Sequence, residues 1–190
     1  MQPIGPLMIE HRLIERMITL MRCELMRIKD NVAVDPEFAF VDPWFIDTAV
    51  DFIRTYADRC HHGKEEDILF AALGQKELSL EHRQAMEDLV KDHAWARQAT
   101  AALVRAKEDH LRGKSGSLED ILKNLGEIVE FYPQHIERED KHFFIPCMAY
   151  CSDAEKAAML QAMCDFDRQM IHEKYRGMVE GIETRKACHI

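Results

Sequence analysis

Several features that would assign this chain to other protein classes are scarce or missing. Glycine and proline number only 8 and 6 in 190 residues, which favours long helices over a turn-rich β fold. The sequence has no apolar run of about 18 residues that could span a membrane. The N-terminus lacks the charged and apolar segments of a signal peptide. We therefore expect a cytoplasmic protein that is not embedded in a membrane.

Positive charge is also in short supply. Lys and Arg number 25 against 34 Asp and Glu, which gives a formal net charge of −9. Nucleic-acid binding requires clustered basic side chains that neutralise phosphates, so we expect no nucleic-acid partner. The length of 190 residues is enough for one domain with a full hydrophobic core.

The six cysteines lack the paired spacing of a zinc ribbon. They are predicted to be reduced, partly buried thiols, as in other cytosolic proteins. The pair Cys147-x-x-x-Cys151 leaves a redox role open as the alternative.

Apolar periodicity and capping signals predict five helices. Their expected bounds are about Pro6–Lys29, Asp42–Leu73, Ser79–Leu111, Ser117–Phe144 and Ser152–Arg185. The first four are expected to form an all-α, up-down four-helix bundle over residues 1–150. The fifth, in residues 151–190, is expected to pack on the bundle or on a partner, and it could form the seam of a homo-oligomer.

One short pattern occurs twice in the chain. His61-x-x-x-Glu65 recurs 74 positions later as His135-x-x-x-Glu139. A spacing of four places the two side chains of each pair on the same face of a helix, one turn apart. Each pair can therefore reach a single point in the core of the bundle.

The apolar faces of the first and third helices each carry one further histidine, His11 and His93. Two carboxylates that converge in one core repel each other, and each costs several kcal/mol without a positive partner. No lysine or arginine is expected on these inner faces, so metal cations are the expected partners. The predicted metal ligands are His11, His61, Glu65, His93, His135 and Glu139.

This ligand set predicts a dinuclear metal site. Imidazole and carboxylate together suit iron, manganese or zinc, and the residues alone do not choose among them. Helical phase places His62 and Glu66 on the solvated side of the second helix, together with Asp51 and Asp58, and therefore outside the site.

In their order and spacing these residues resemble the hemerythrin-like family, in particular its bacterial His-His-Glu proteins. The resemblance covers about the first 150 residues. It rests on His11 between Glu10 and Arg16, the run His61–Phe70, His93, and the run His135–Pro146. It implies a non-haem centre of two iron ions, bridged by the two glutamates and by an oxo, hydroxo or water ligand.

The oxygen carriers of that family use a fifth histidine and have an aspartate as one bridging carboxylate. Here a glutamate takes the place of the aspartate, and the positions one turn from His93 are Leu89 and Arg97. One iron would then lack a protein ligand unless water, Tyr132 or His142 completes its coordination.

The leading hypothesis is a di-iron protein that binds O2 or a related small ligand for storage, delivery or redox sensing. The alternative is a redox enzyme that acts on peroxide or nitric oxide, or an iron donor for the repair of iron–sulfur clusters. A third hypothesis is a regulatory module whose fifth helix signals the metal state to a partner. Ferritin-like di-iron proteins are the structural rival; they use two Glu-x-x-His motifs, and only Glu139-x-x-His142 fits here.

Overall fold

The computed structural model describes residues 2–35, 39–168 and 171–187. Within these ranges the chain is all-α, without a β-strand, and no helix there is apolar over enough length to span a lipid bilayer. The four long helices are α1, Ile4–Val34; α2, from Pro43–Phe52 to Ala71–Leu73; α3, Leu80–Leu111; and α4, Ser117–Arg138. The helical path continues beyond α4 through Glu139–Phe143, Phe144–Cys147 and a 3₁₀ turn over Met148–Tyr150. Two shorter helices follow, α5 over Asp153–Phe166 and α6 over Ile171–Ala187.

Three stretches of the described chain have π-helical hydrogen bonding, in which an amide bonds five residues back rather than four. They are Ile53–His62 and Glu65–Phe70 in α2, and Glu139–Phe143 after α4. The Gly63 amide, for example, donates to the carbonyl of Asp58. Such turns are rare and frequently lie at functional sites. Each of the three stretches contains one residue of the doubled His-x-x-x-Glu pattern.

Capping side chains fix the start of three helices at the positions that the sequence predicts. The Asp42 carboxylate accepts hydrogen bonds from two amides in the first turn of α2, and Pro43 follows it. Ser79 caps α3. Ser152 and Glu155 form a reciprocal capping box at the start of α5.

The helix bounds differ from the prediction in three places. α1 extends past Lys29 to Val34, since neither glycine nor proline interrupts the chain there. The chain remains helical past Pro146 as far as Cys147, because a proline in the first turn of a helical segment has no intrahelical hydrogen bond to lose. The single helix predicted for the C-terminal segment is instead two helices, with a turn at Asp167 and Arg168. The Asp167 carboxylate accepts hydrogen bonds at 2.7 and 2.8 Å from the buried Lys64 ammonium, a tertiary contact that periodicity does not reveal.

The four long helices form a bundle in which neighbours in the chain are neighbours in space. His11, near the start of α1, lies 3.2 Å from Glu139, just beyond the end of α4. Glu65, near the end of α2, lies 3.3 Å from His93 in the first half of α3. In both pairs the start of one helix lies beside the end of the other, so the paired helices run antiparallel. This confirms the predicted up-down four-helix bundle.

A polar layer divides the hydrophobic core into two apolar clusters. On α1, His11 lies between Leu7 of the smaller cluster and Ile14 of the larger one. The predicted ligands of the other three helices lie between the two clusters in the same way. The apolar side chains above and below the layer therefore keep it away from bulk water.

The C-terminal helix α6 packs on the bundle. Tyr175, Val179 and Ile182 are buried and belong to the larger apolar cluster. The Tyr175 ring lies 5.7 Å from the ring of Phe52, and its hydroxyl donates to the Asp51 carboxylate at 2.7 Å. The division of the chain into residues 1–150 and 151–190 stays a prediction.

The cysteines within the described ranges are free thiols. Burial raises the pKa of Cys147 to about 12, which keeps that thiol protonated and weakly reactive. Cys60, Cys147 and Cys151 are buried, whereas Cys23 and Cys164 are exposed. Cys188 lies outside the described residues.

Candidate metal centre

The six predicted ligands meet in the polar layer between the two apolar clusters. Each of them has at most 1% of its surface exposed. α1 and α3 supply one histidine each, whereas α2 and the continuation of α4 supply a histidine and a glutamate each. The ligand atoms fall into two groups, and within each group they lie within 4.8 Å of one another. The groups are His11, His61, Glu65 and Glu139, and His62, His93 and His135.

The Glu65 carboxylate lies between histidines of two different helices. Its Oε1 is 3.3 Å from Nε2 of His61 on the same helix. Its Oε2 is 3.3 Å from Nε2 of His93 on α3. Because the two oxygens face different imidazoles, this carboxylate can bridge two cations.

The Glu139 carboxylate has the same relation to the other two helices. Its Oε2 is 3.2 Å from Nε2 of His11, and its Oε1 is 3.3 Å from Nε2 of His135 and 3.7 Å from Nε2 of His93. One oxygen of each glutamate therefore faces His11 and His61, which we name position 1. The other oxygen faces His93 and His135, which we name position 2.

His62 belongs to position 2, so the prediction that it lies on the solvated face of α2 is wrong. Its surface is only 1% exposed, and its ring stacks on that of His93 with centroids 3.9 Å apart and planes within 7°. The π-helical stretch Ile53–His62 explains the error. The prediction used the α-helical period, but a π-helical turn contains an additional residue and turns His62 towards the core.

Position 2 therefore offers three imidazoles and two carboxylate oxygens, whereas position 1 offers two imidazoles and two carboxylate oxygens. His62 is placed for the role that the sequence analysis left to water, Tyr132 or His142. His142 is exposed and belongs to neither group of ligand atoms.

A second layer of carboxylates holds the outer nitrogen, Nδ1, of each of the five histidines of positions 1 and 2. Four of these contacts run from helix to helix and close a ring around the bundle. In each contact a histidine Nδ1 donates to a carboxylate of the neighbouring helix. The pairs are His61 and Glu10 at 2.9 Å, His93 and Glu66 at 2.7 Å, His135 and Asp92 at 3.4 Å, and His11 and Asp140 at 2.8 Å. Within α2, His62 Nδ1 donates to Asp58 at 3.4 Å. Such a bond places the proton of a neutral imidazole on Nδ1 and aims Nε2 at the centre, as in metal-bound histidines.

This second layer was not predicted from the sequence, although a signal for it exists. Each carboxylate of the ring directly adjoins a predicted ligand in the chain. The adjoining pairs are Glu10 and His11, Glu65 and Glu66, Asp92 and His93, and Glu139 and Asp140. An acid beside a ligand on one helix supports a histidine on the next helix.

Basic side chains hold these outer carboxylates in turn. Arg97 donates to Asp58 at 2.7 Å and to Glu66 at 2.8 Å, and so supports two histidines of position 2. Arg12 and Arg138 each contact one of the aspartates in the ring. Each imidazole thus has a fixed orientation before any cation binds.

Lys64 is fully buried, so the expectation that no basic side chain lies on the inner faces is wrong. Its ammonium donates to Glu10 and to Asp167 at the end of α5, and these carboxylates balance its charge. Among the described residues, Glu65 and Glu139 form ion pairs with histidines but with no lysine or arginine. The need for cations at the centre therefore remains.

The convergence of charges shifts the pKa values of the histidines. Burial alone lowers the pKa of His61, but the neighbouring carboxylates, Glu65 foremost, outweigh burial and raise it to about 10. Carboxylates, with Glu139 foremost, likewise outweigh burial at His93 and raise its pKa to about 9. At His62, burial and the neighbouring imidazoles hold the pKa well below its usual value. Cations at the centre would take the place of the protons on the raised imidazoles.

Seven ligand atoms of the centre have no hydrogen-bond partner within the part of the chain that the structure describes. They are Nε2 of His11, His93 and His135, and both carboxylate oxygens of Glu65 and of Glu139. A buried polar atom without a partner costs about 1–3 kcal/mol, and a pair of cations would remove this cost at all seven atoms. Imidazole and carboxylate donors suit iron, manganese or zinc, so these residues fit a dinuclear metal site.

Comparison with known proteins connects the same part of the chain to metal binding. A family model described as the hemerythrin HHE cation binding domain matches residues 2–145. The matched span contains α1 to α4 and every side chain of positions 1 and 2. No curated protein and no solved structure matches the chain.

Proposed function

The chain belongs to the hemerythrin HHE cation-binding family, and on that premise we propose that it is a di-iron protein that binds O2 or a related small ligand. Positions 1 and 2 would each hold one iron, with Glu65 and Glu139 as bridges. Bound iron would supply reversible redox chemistry and affinity for small ligands. Cytoplasmic O2 or redox sensing, storage or delivery is the role we infer.

The observation that carries this proposal is that seven ligand atoms, four of them the oxygens of Glu65 and Glu139, lack a hydrogen-bond partner among the described residues. An ordinary polar core would have hydrogen bonds at nearly all of these atoms. The lack of bonds is confined to the inner atoms, because the outer nitrogens all have carboxylate partners. This division supports a centre built around cations.

The unequal donor sets support binding of a small exogenous ligand. Position 1 has one imidazole fewer than position 2. An iron there would keep more of its coordination sphere available to a ligand from outside the protein. The apolar clusters on both sides of the layer would exclude water from that ligand.

A redox enzyme that acts on peroxide or nitric oxide is the second candidate. The observation that favours it is a cavity of about 290 Å³ that is lined by His62 of position 2 and could hold a substrate beside the centre. Iron donation for cluster repair is less well supported, because the ligands are buried behind a layer of carboxylates and basic side chains.

The proposal can be tested by purifying the protein without oxygen, measuring its metal content, and recording absorption spectra on adding O2, peroxide and nitric oxide in turn. We expect two iron ions per chain and a reversible spectral change with O2. Turnover of peroxide or nitric oxide would favour the enzyme instead. Zinc alone, with no spectral response to any of the three, would overturn both redox functions.

Two adjacent glutamates provide a matched pair of variants for the metal assignment. Glu65→Gln should abolish loading with two ions, because it removes a bridging carboxylate. Glu66→Gln should retain both ions with an affinity lowered by about 10- to 100-fold, because it only supports His93 from outside. Metal content by mass spectrometry and chelator competition measure both effects. If Glu66→Gln empties the centre and Glu65→Gln does not, the bridging assignment is wrong.

A further inference from the structure

The cavity beside position 2 has features that metal binding itself does not require. It has a volume of about 290 Å³ and is lined by side chains of α2, α3 and α4. His62 and Tyr132, each only 1% exposed, form its buried side. Arg54 and Arg59 of α2 and Arg97 of α3 are exposed and line its outer side.

The charge of this cavity is opposite to that of the molecule. Its lining contains three guanidinium groups and one carboxylate, that of Asp58. The Asp58 carboxylate is already engaged by Arg97 at 2.7 Å and by His62 at 3.4 Å. Arg97 is engaged by Asp58 and also by Glu66 at 2.8 Å, so the excess positive charge of the cavity comes from Arg54 and Arg59. In a chain whose formal net charge is −9, this excess focuses an attractive potential for anions at one place.

Tyr132 provides a second, independent sign of a ligand. Its buried hydroxyl has no hydrogen-bond partner in the described ranges of the chain. Burial and then the charges of Asp58 and Glu139 raise the pKa of Tyr132, so its hydroxyl keeps the proton and remains a donor. A buried donor without an acceptor is unfavourable. A ligand in the cavity could supply the acceptor.

We propose that this cavity binds a small inorganic oxyanion, of which nitrite is the simplest example, between the guanidinium groups and the Tyr132 hydroxyl. A neutral diatomic ligand gains nothing from the guanidinium groups, whereas an oxyanion accepts charge-assisted hydrogen bonds from them. The site goes beyond the proposed function, because its lining residues are in place independently of which metal fills positions 1 and 2.

The test is a titration of the full-length protein with sodium nitrite at constant ionic strength, followed by amide NMR spectra. The protein is prepared in metal-free and in zinc-loaded form, both of which are diamagnetic. We expect saturable shifts at the amides of Arg97 and Tyr132 in the metal-free protein at least. Formamide, a neutral molecule of similar size, should cause no saturable shift there.

Charge-matched variants locate the bound anion. Arg54→Gln/Arg59→Gln should raise the dissociation constant for nitrite at least about fivefold, because the excess positive charge of the cavity is lost. Arg83→Gln/Arg105→Gln removes the same charge from exposed arginines of α3 that do not line the cavity, and should change it less than about twofold. Tyr132→Phe should weaken binding by about tenfold through the lost hydrogen bond to a charged group.

Three results would overturn the proposal: no saturable shift with nitrite, an equal response to formamide, or equal weakening by the two double-arginine variants. Tyr132→Phe keeps the ring and removes only the unpartnered hydroxyl, so it remains informative if the arginine variants fold poorly. Failure of the protein to bind zinc or iron would contradict the proposed function without affecting the titration of the metal-free protein.

Discussion

At the scale of single residues, His62 has the contacts of a ligand rather than those of an ordinary core histidine. Its ring stacks on His93, and its Nδ1 donates to Asp58 as the other histidines of the layer donate to their carboxylates. Burial among imidazoles lowers its pKa well below the usual value and so keeps it neutral, the form that binds metal. We therefore expect His62 to complete position 2.

Replacing His62 by leucine tests this expectation. His62→Leu removes the donor and retains most of the buried volume, so we expect one metal ion to bind at least about 100-fold more weakly, a larger loss than supporting residues usually cause. Chelator competition with metal analysis measures the effect. The matched control is His142→Leu, since His142 is exposed and should leave both affinities unchanged. Two ions bound with normal affinity in His62→Leu would make His62 a purely structural residue.

At the scale of helices, the sequence predicts most of the bundle but not its local hydrogen bonding. The amphipathic period and the caps at Asp42, Ser79 and Ser152 locate three of the helix starts, because both depend on local chemistry. A π-helical turn depends on tertiary packing and has no comparable residue signature. The two errors on α2 follow from that: His62 and Lys64 lie at or beside π-helical stretches, and both face inward.

The predicted ligands illustrate the same limit. Two side chains four residues apart stay on the same face of a helix when its pitch changes modestly. His61 with Glu65 and His135 with Glu139 therefore come together in the structure as the sequence suggested. Contacts between helices are different. That Glu10 on α1 serves His61 on α2 could not be deduced from the period of either helix, because it depends on how the two helices are rotated.

The Asp167 carboxylate, in the turn that follows α5, bonds to Lys64 and lies 3.1 Å from Nε2 of His172. Burial raises the pKa of Asp167, but His172 and then Lys64 outweigh it, so the folded-state pKa lies below the usual value. The stability from this depressed carboxylate is fully present above the unfolded-state pKa of about 4 and is lost as the pH falls through the lower folded-state value. Asp167 therefore joins α5 to the buried Lys64 at neutral pH but not in strong acid.

The lowered pKa of Asp167 predicts how Asp167→Asn changes the free energy of unfolding with pH. At pH 7 the variant should lose about 1–3 kcal/mol of unfolding free energy, because Lys64 loses a charged hydrogen-bond partner. The difference from wild type should shrink as the pH falls below about 4. Urea unfolding of metal-free protein at pH 7 and at pH 3.5 measures it. Asp165→Asn, an exposed neighbour, is the control. A deficit that is the same at both pH values would mean that packing rather than charge is responsible.

At the scale of the whole molecule, the polar layer is also the middle of the core. Apolar clusters lie on both sides of it, and each helix supplies a carboxylate that holds a histidine of the next helix. The bundle and the centre are therefore parts of one structure. Cations at positions 1 and 2 would connect all four long helices through their side chains, so metal binding should stabilise the entire fold.

Metal removal should accordingly lower global stability. With free metal at about 1,000 times its dissociation constant, bound metal adds about 4 kcal/mol to the free energy of unfolding. For a chain of this size, the loss of that energy corresponds to a Tm roughly 8–16 °C lower. Calorimetry with and without a chelator measures the shift, while far-ultraviolet circular dichroism checks that the metal-free protein remains helical. In Glu65→Gln/Glu139→Gln, which lacks both bridges, the chelator should have no effect. An unchanged Tm in wild-type protein that has demonstrably lost its metal would show that the bundle is stable without its central ions.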